Sequence, residues 1–333
     1  MVTASNTKKY LLVFAKVCLS CGLIYWLLRG ADLQTIWQTV QSANPGFLLL
    51  AFAMFYIGFA LMSLRWRILL RLEDLDAPFW YLFRSVNIAV LFNNLLPSII
   101  GGDAYRMYDV WRLGASKTKS VAVILIDRFL GMFALVTYGT VAALLVPEAT
   151  AAIPGLPVYL GGILCAMLVI MWMVFGSGEK LLRWFLGVEL RLLSIPQKIV
   201  RKVSDALALY KGRGDALVKG LLISYGIQFN VVVHFIVIAL ALGLDVPPLA
   251  MFVIIPVATL IMLMPVSING IGVREAILVF MFGIYGVSAE SAIAFAWIWL
   301  AMLLGQGVVG GIVFMFRKNR PSAHRVQDLM EEG

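Results

Sequence analysis

Long apolar stretches dominate this sequence and limit what it can fold into. A helix needs about 20 mostly apolar residues to cross the hydrocarbon core of a bilayer. Six stretches reach that length: roughly 9–29, 47–70, 118–146, 155–175, 217–242 and 292–316. Of the 333 residues, 62% are hydrophobic and 14% are charged, against about 25% charged in an average soluble domain. Because so few charged side chains cannot cover a globule of this size, a soluble enzyme is excluded, and we expect an all-α polytopic membrane protein.

Two further apolar stretches, about 79–100 and 247–264, are interrupted by proline. Pro97 and Pro265 each lack a backbone N–H donor, and each precedes glycines and charged residues. A helix that breaks at membrane depth is tolerated where its free backbone groups face protein or a water-filled cavity. The two stretches therefore predict re-entrant helical hairpins, which enter the membrane and turn back, in addition to about six full spans.

The positions of lysine and arginine predict the side on which each loop lies, because these residues gather in cytoplasmic loops. The chain carries 27 Lys and Arg against 18 Asp and Glu, a net charge of +9. The loop at 147–154 and the loop near Asp245 are poor in basic residues and are assigned to the outside. Both termini are assigned to the cytoplasm. The basic positions on the cytoplasmic side are Lys8, Lys9, Arg65, Arg67, Arg71, those within 101–119 and 176–219, and Arg317, Lys318 and Arg320.

The two interrupted stretches share one pattern: proline, four residues, glycine, three residues, arginine. The first copy is Pro97, Gly102 and Arg106, and the second, 168 positions later, is Pro265, Gly270 and Arg274. The same shift carries the span at 47–70 onto 215–238 and the span at 118–146 onto 286–314. Because three full crossings per half is an odd number, the second half would lie upside down relative to the first. This predicts an inverted repeat, as in many secondary transporters.

The repeat divides the chain into two membrane halves and a tail. The predicted units are half 1 at 1–146 with its hairpin at about 79–117, half 2 at 147–318 with a cytoplasmic amphipathic connector at 176–216 and its hairpin at about 247–290, and a cytoplasmic tail at 319–333. In transporters built this way, substrate sites lie near the middle of the bilayer, where paired broken helices meet. Binding residues are therefore expected at the two hairpins.

The first hairpin supplies six candidate substrate-binding residues. Pro97 ends the incoming half-helix, and Gly101 and Gly102 permit the reversal. We expect a second half-helix to begin at Asp103, with free N–H groups that attract anions and with Arg106 adding positive charge. Asp103 is either the cap of that half-helix or the ion partner of Arg106. The candidates are Asn93, Asn94, Gly101, Gly102, Asp103 and Arg106.

The second hairpin supplies a corresponding set after its helix break at Pro265. The candidates are Ser267, Asn269, Gly270, Gly272, Arg274 and Glu275. The serine and asparagine offer hydrogen bonds, the glycines make the turn, and the charged pair opens the returning half-helix. Ionisable residues inside a bilayer cost at least about 2.5–3.5 kcal/mol on insertion scales, so they usually pair, line a wet cavity or bind a substrate. Charged residues at both hairpins favour a cavity.

Two charged neighbours, Asp127 and Arg128, lie inside the span at 118–146. Adjacent helix residues point about 100° apart and do not pair well with each other. Each needs a partner elsewhere, and the hairpin residues are the nearest candidates. Two roles stay open: a clamp that holds the hairpin to the span, or direct contact with the substrate. Weaker candidates for a cavity or for helix packing are Gln228, Asn230, His234, Gly307 and Gly311.

Several common sources of chemistry are missing from the sequence. It contains no GxxxxGK[ST], HExxH or GxSxG motif, which argues against ATP coupling and hydrolytic catalysis. Its three cysteines lie in apolar runs and its two histidines are far apart, so no metal site and no cofactor are expected. Membrane lipids are the expected partners, nucleic acid is not, and a homodimer is a further hypothesis.

The motifs at the hairpins and in the third span resemble those of one known family. Leu96-Pro97 through Gly101-Gly102-Asp103 to Arg106, the later Asp127-Arg128-Phe129-Leu130-Gly131, and above all the run from Pro265 to Glu275 carry the resemblance. They resemble the lysylphosphatidylglycerol synthase transmembrane-region family, whose members are also called flippase-like domain or UPF0104 membrane proteins. The resemblance covers about residues 8–318. Where many relatives carry Glu before the Arg of the third-span motif, this chain has Asp127.

The resemblance implies a protein of the bacterial or archaeal cytoplasmic (inner) membrane. In the best-known relatives this domain is fused to a cytoplasmic aminoacyltransferase and moves aminoacylated phosphatidylglycerol between leaflets. Other relatives stand alone, often associated with glycosyltransferases or isoprenoid-lipid pathways. The present sequence continues only briefly after its last span, so we expect no transferase domain and do not carry lipid aminoacylation over.

Together these features predict a lipid flippase or scramblase-like transporter rather than an enzyme. Arg106, Arg274 and the half-helix starts would line one cationic pocket and offset the charge of a headgroup. Three alternatives stay open: a secondary transporter of a small solute, an enzyme that acts on polyprenyl phosphate through Asp103 and Asp127, and a non-catalytic membrane partner of a glycosyltransferase or lipid-modifying enzyme.

Overall fold

A computed structural model describes residues 22–95, 101–175, 213–263, 267 and 270–317. The helices are α1 (Leu33–Ser42), α2 (Pro45–Arg71), α3 (Phe79–Leu95), α4 (Gly101–Arg112), α5 (Lys117–Leu145), α6 (Pro147–Ala152), α7 (Leu156–Phe175), α8 (Gly214–Ala241), α9 (Pro248–Met262), α10 (Val273–Gly283) and α11 (Ala289–Phe316). Residues 22–29 are helical as well, and these described ranges contain no β-strand. The all-α fold class is confirmed.

Within the described part of the chain, five helices are long and apolar enough to cross a membrane: α2, α5, α7 over Leu156–Met173, α8 and α11. They coincide with five of the six predicted spans. The sixth, at 9–29, falls mostly outside the described residues, and its end at 22–29 is helical. Most of the predicted connector at 176–216 and the whole tail at 319–333 also lie outside them.

Polar caps set where three of the long helices begin. The Asn44 side chain accepts hydrogen bonds from the first N–H groups of α2, which starts at Pro45. Ser116 and Ser288 cap α5 and α11 in the same way. A cap satisfies N–H groups that have no partner inside the helix, and proline suits the first helical position because it has no N–H to satisfy. The starts of these spans are therefore encoded locally.

The order long helix, two short helices, long helix occurs twice along the chain. The first set is α2, α3, α4 and α5, and the second is α8, α9, α10 and α11. The two sets interlock, because α2 packs against α8, α3 packs against α11 and α9 packs against α5. Such reciprocal pairing is what two related halves would give. The inverted orientation of the halves stays a prediction.

The two helix breaks occur where the prolines indicated. In half 1, α3 ends at Leu95 and α4 begins at Gly101, and in half 2, α9 ends at Met262 and α10 begins at Val273. Pro97, Pro265 and Asn269 lie outside the described residues. At Gly270 and Gly272 the φ angles are +76° and +83°. Such angles are costly for residues with a side chain, so glycine is required there.

The expected start of α4 at Asp103 was wrong by two residues, since the helix begins at Gly101. The Gly102 N–H donates to Asn93 Oδ1 on α3 at 2.7 Å, which caps the earlier start. A Cβ atom at Gly102 would lie 2.4 Å from the backbone oxygen of Ala89. The glycine is therefore needed because the half-helix runs directly against the backbone of its partner.

Glycines on α11 let the half-helix α3 pack closely against that span. A Cβ atom at Gly310 would lie 2.3 Å from the backbone oxygen of Asn87, and one at Gly307 would lie 2.2 Å from Asn94 Nδ2. Gly311 has only ordinary contact distance to Leu91. Of the predicted pair, Gly307 makes a close contact and Gly311 does not, and Gly310, which was not predicted, makes the close approach to the backbone of α3.

Candidate functional site

One carboxylate, that of Asp127 on α5, joins three helices inside the protein. Arg65 Nε on α2 lies 2.7 Å from Asp127 Oδ1, and Arg106 Nη2 on α4 lies 2.9 Å from Asp127 Oδ2. All three side chains are buried. Because each carboxylate oxygen binds a different guanidinium, Asp127 connects α4 to the two long helices α2 and α5.

A second carboxylate, that of Asp103, lies in the first turn of α4. Its Oδ2 atom lies 2.7 Å from Arg128 Nε on α5, and its Oδ1 atom lies 3.8 Å from Arg106 Nη1. The structure therefore confirms that Asp127 and Arg128 find their partners at the hairpin. The predicted ion pair of Asp103 with Arg106 is present at 3.8 Å, but the shorter contact of Asp103 is with Arg128. The cap of α4 is Asn93 rather than Asp103. We call Arg65, Asp103, Arg106, Asp127 and Arg128 the five-charge cluster.

Neutral groups complete the surroundings of the buried arginines. Arg65 Nη1 donates to Ser224 Oγ on α8 at 2.8 Å. The Arg106 guanidinium lies 4.4 Å from the ring centroid of Trp66, a cation–π contact. A buried charge is costly unless it is paired and hydrogen-bonded. These contacts explain how two arginines are held in the interior of an apolar protein.

The five-charge cluster has more positive than negative charge, and one of its arginines is accessible. Three guanidinium groups face two carboxylates, which leaves one positive charge in excess. The side chain of Arg128 is 41% exposed, whereas that of Arg106 is 3% exposed. Arg128 is eleven residues beyond Lys117, the first residue of α5, or about 16 Å along the helix. An accessible cation thus lies well inside a membrane span.

The charges of the second hairpin form a separate, balanced group. Arg274 Nη2 lies 2.7 Å from Glu275 Oε1, and the Gly272 N–H donates to Glu275 Oε2 at 2.6 Å. Arg274 is 0% exposed, and its guanidinium lies 5.5 Å from the ring centroid of Trp299 on α11. Glu275 therefore caps the start of α10 and neutralises its neighbour.

The structure keeps the two charged groups apart. Among the described residues, no hydrogen bond or ion pair joins the five-charge cluster to Arg274 or Glu275. Arg106 and Arg274 each bind a carboxylate of the protein and are nearly inaccessible. A single cationic pocket that both arginines line stays a prediction, and Arg128 is the most exposed arginine of the two charged groups.

The sequence that forms these groups matches that of a recognised membrane family. The family described as the lysylphosphatidylglycerol synthase TM region matches residues 13–310. The chain belongs to this family. It is a multi-pass membrane protein, as the five apolar helices also indicate.

Archaeal proteins are similar to this member of the family over most of their length. A UPF0104 membrane protein of Methanothermobacter thermautotrophicus is 26% identical over 283 residues, which cover 77% of this chain and 81% of the relative. One of Pyrococcus horikoshii is 23% identical over 326 residues, 90% of this chain and 95% of the relative. A second from M. thermautotrophicus is 26% identical over 313 residues, 87% of each. The resemblance inferred from the motifs is confirmed.

The asparagines predicted to bind substrate instead hold backbone groups in this conformation. Asn93 caps α4, as described above, and Asn94 Nδ2 donates to the Leu303 backbone oxygen on α11 at 2.7 Å. Ser267 is half-buried, and no hydrogen bond of its side chain occurs within the described part of the chain. The polar residues of the first hairpin therefore position α3, α4 and α11.

The weaker candidates on α8 also bind backbone oxygens of neighbouring spans. Gln228 Nε2 donates to Gly131 O at 3.1 Å, and Asn230 Nδ2 donates to Met54 O at 3.1 Å. His234 Nδ1 lies 2.8 Å from Ala51 O and is buried. These side chains hold α8 against α2 and α5.

Sequence reasoning missed Arg65, which it assigned to the basic cytoplasmic end of α2. Arg67 and Arg71 at that end are more exposed, and both contact Asp76. Arg65 instead turns inward and is 4% exposed. Its place six residues before the end of the helix was a usable signal, because a charge that far inside an apolar span needs a partner.

Proposed function

We propose that this protein moves a lipid with an anionic or aminoacylated headgroup, a phospholipid or a polyprenyl-linked lipid, between the leaflets of the cytoplasmic membrane. One observation carries the proposal: Arg128, 41% exposed and paired with Asp103, is the accessible cation of a cluster that has one positive charge in excess inside a span. A positive charge in that position is stabilised by an anion that enters from the side. The family membership is consistent with a lipid as the source of that anion.

The physical need for such a site follows from the cost of moving a charge through hydrocarbon. An isolated ion faces a desolvation penalty of order tens of kcal/mol in a medium of low dielectric constant. A phosphate bound to Arg128 and to the start of α4 would keep charge-assisted hydrogen bonds during the crossing. The acyl chains would stay in the lipid.

Asp103 would be the first group to respond to the headgroup. It already binds Arg128 at 2.7 Å, so a phosphate must compete with it for the same guanidinium. Asp127 would remain bound to Arg65 and Arg106 and keep the half-helix in place. Release of the Asp103 side chain from Arg128 is then the step that the headgroup would drive. Without a motif for ATP, that step is downhill or coupled to an ion.

A reconstituted transport assay tests the proposal with Arg128→Gln. The full chain is placed in liposomes with a trace of fluorescent phosphatidylglycerol, and dithionite bleaching reports movement between leaflets. We expect the wild-type rate to fall at least about tenfold in the variant, since a charge-assisted contact is lost. Arg67→Gln, which removes a partly exposed arginine outside the cluster, should move lipid at the wild-type rate.

Two results would contradict the proposal. One is an Arg128→Gln rate equal to that of the wild-type protein in vesicles with the same protein content. The other is a wild-type rate no higher than that of protein-free vesicles. In the second case, uptake of a soluble anion by vesicles that contain the wild-type protein would favour the small-solute transporter instead.

A further inference from the structure

A groove of about 430 Å³ lies at a different place from the five-charge cluster. It opens between α2, α3 and the C-terminal end of α11. Its apolar wall includes Phe83, Ile312 and Val313, and its polar groups include Arg84 and Arg317. A volume of this size is typical of sites for small molecules.

The two arginines of the groove have unused hydrogen-bonding capacity. Arg84 is exposed, and no ion pair or hydrogen bond of its side chain occurs among the described residues. Arg317 is 9% exposed and binds Asp109 Oδ2 at 2.7 Å, but its buried Nη2 atom has no partner. Among the described residues, Arg317 has a carboxylate partner and Arg84 has none, so the groove carries one positive charge in excess.

The apolar surface around these cations is exposed as well. Trp80 is 64% exposed and Phe316 is 81% exposed, and both line the groove. By the distribution of basic residues, this end of α11 lies at the cytoplasmic surface. An occupant must match one excess positive charge and a lipid-facing apolar wall at the same time. A free anion matches only the first, and a neutral or zwitterionic lipid matches only the second.

We propose that this groove binds an anionic phospholipid of the cytoplasmic leaflet, with Arg84 and Arg317 on its phosphate. A phosphodiester without an amine carries one negative charge, which equals the excess in the groove. Its acyl chains lie along Ile312 and Val313. Asp109, which shares Arg317 with the phosphate, is one turn beyond Arg106 on α4. The site therefore connects the surrounding lipid to the half-helix of the cluster.

This inference goes beyond the proposed function, because it requires the protein to bind lipid and does not require it to move lipid. Native mass spectrometry of the full chain in detergent tests it by titration with phosphatidylglycerol and phosphatidylcholine. We expect one phosphatidylglycerol to bind at least about tenfold more tightly than phosphatidylcholine. Arg84→Gln should weaken binding of phosphatidylglycerol about tenfold and leave that of phosphatidylcholine unchanged.

Arg71→Gln is the matched control, since it removes an exposed arginine that lies outside the groove, and it should bind both lipids as the wild type does. Equal affinity for the two lipids would overturn the proposal, and so would unchanged binding by Arg84→Gln. Glycerophosphoglycerol, the deacylated form of phosphatidylglycerol, supplies the same phosphodiester anion without acyl chains. If it binds as tightly as phosphatidylglycerol, the groove is an anion site and the assignment to lipid is wrong. These results do not depend on lipid movement, so they stand apart from the Arg128 transport test.

Discussion

Arg65 and Asp127 are 62 positions apart in the sequence, yet Arg65 Nε and Asp127 Oδ1 meet at 2.7 Å in the interior. The other oxygen of the same carboxylate binds Arg106 on α4. A single side chain therefore joins two long apolar helices to α4, whose 12 residues are too few to cross a bilayer. The Arg106–Asp127 contact holds α4 against α5, and Arg128 on α5 therefore lies beside Asp103 at the start of α4.

Replacing Asp127 should destabilise the protein strongly. Asp127→Asn keeps the shape of the side chain but leaves the buried Arg65 without its carboxylate and Arg106 with only Asp103, at 3.8 Å. Removal of one partner of a buried pair costs about 3–5 kcal/mol, and we expect a loss of that size in the free energy of unfolding. Titration with sodium dodecyl sulfate in mixed micelles measures it. Asp76→Asn is the control, because Asp76 is exposed on a loop, and a similar loss in both variants would contradict a special role for Asp127.

Adding a methyl group at Gly102 should separate the two arms of the first hairpin. The new Cβ atom would lie 2.4 Å from the Ala89 backbone oxygen. This oxygen is part of the helix backbone and cannot move aside as the tip of a flexible side chain can. We expect Gly102→Ala to lower the free energy of unfolding by about 1–3 kcal/mol, as overpacking does. Gly162→Ala on α7 meets nothing within 4 Å, so helix propensity should make it equal to or more stable than the wild type. Equal stability of the two variants would show that the close approach is absent.

The balanced pair of the second hairpin should show energetic coupling. Arg274→Met leaves Glu275 buried without its cation, and Glu275→Gln leaves Arg274 without its anion. The double variant should therefore lose less stability than the sum of the losses in the two single variants. We expect a coupling energy of about 1–3 kcal/mol from a double-mutant cycle of thermal or detergent unfolding. Additive effects would mean that the 2.7 Å contact does not contribute to stability.

The predicted inversion of the two halves has a direct test at Asp76 and Asp245. Each is exposed in the short loop that follows the first long helix of its set, α2 or α8. In a background without Cys18, Cys21 and Cys165, we expect Asp245→Cys to react with an impermeant maleimide in intact cells. Asp76→Cys should react only after the cells are opened. Labelling of both from one side would exclude the inverted arrangement.

Much of the helical architecture could be predicted because its signals are local. The length of an apolar stretch sets whether a helix can cross a bilayer, and proline with glycine marks a break wherever it occurs. The family could be recognised for the same reason, since its motifs are continuous runs such as that from Pro265 to Glu275. The start of α4 was the exception, because Asn93 on another helix caps it.

The candidate site was predictable only in part. The need of Asp127 and Arg128 for partners followed from the cost of charge in hydrocarbon, and the first hairpin supplied those partners. Arg65 was not foreseen, because the density of basic residues near a span end hides an arginine that turns inward. Nor could the sequence show that Asn94 binds a backbone oxygen on α11, 209 positions away.

The sequence by itself determined how many apolar segments this protein has, where two of them break and which family it belongs to. These properties depend on transfer free energies and backbone geometry, which neighbouring residues set. Only the tertiary structure decided which charges meet, since ion pairing depends on distances of a few ångströms between helices remote in sequence. For that reason Arg106 and Arg274 are neutralised inside the protein, whereas Arg128 and Arg84 remain exposed.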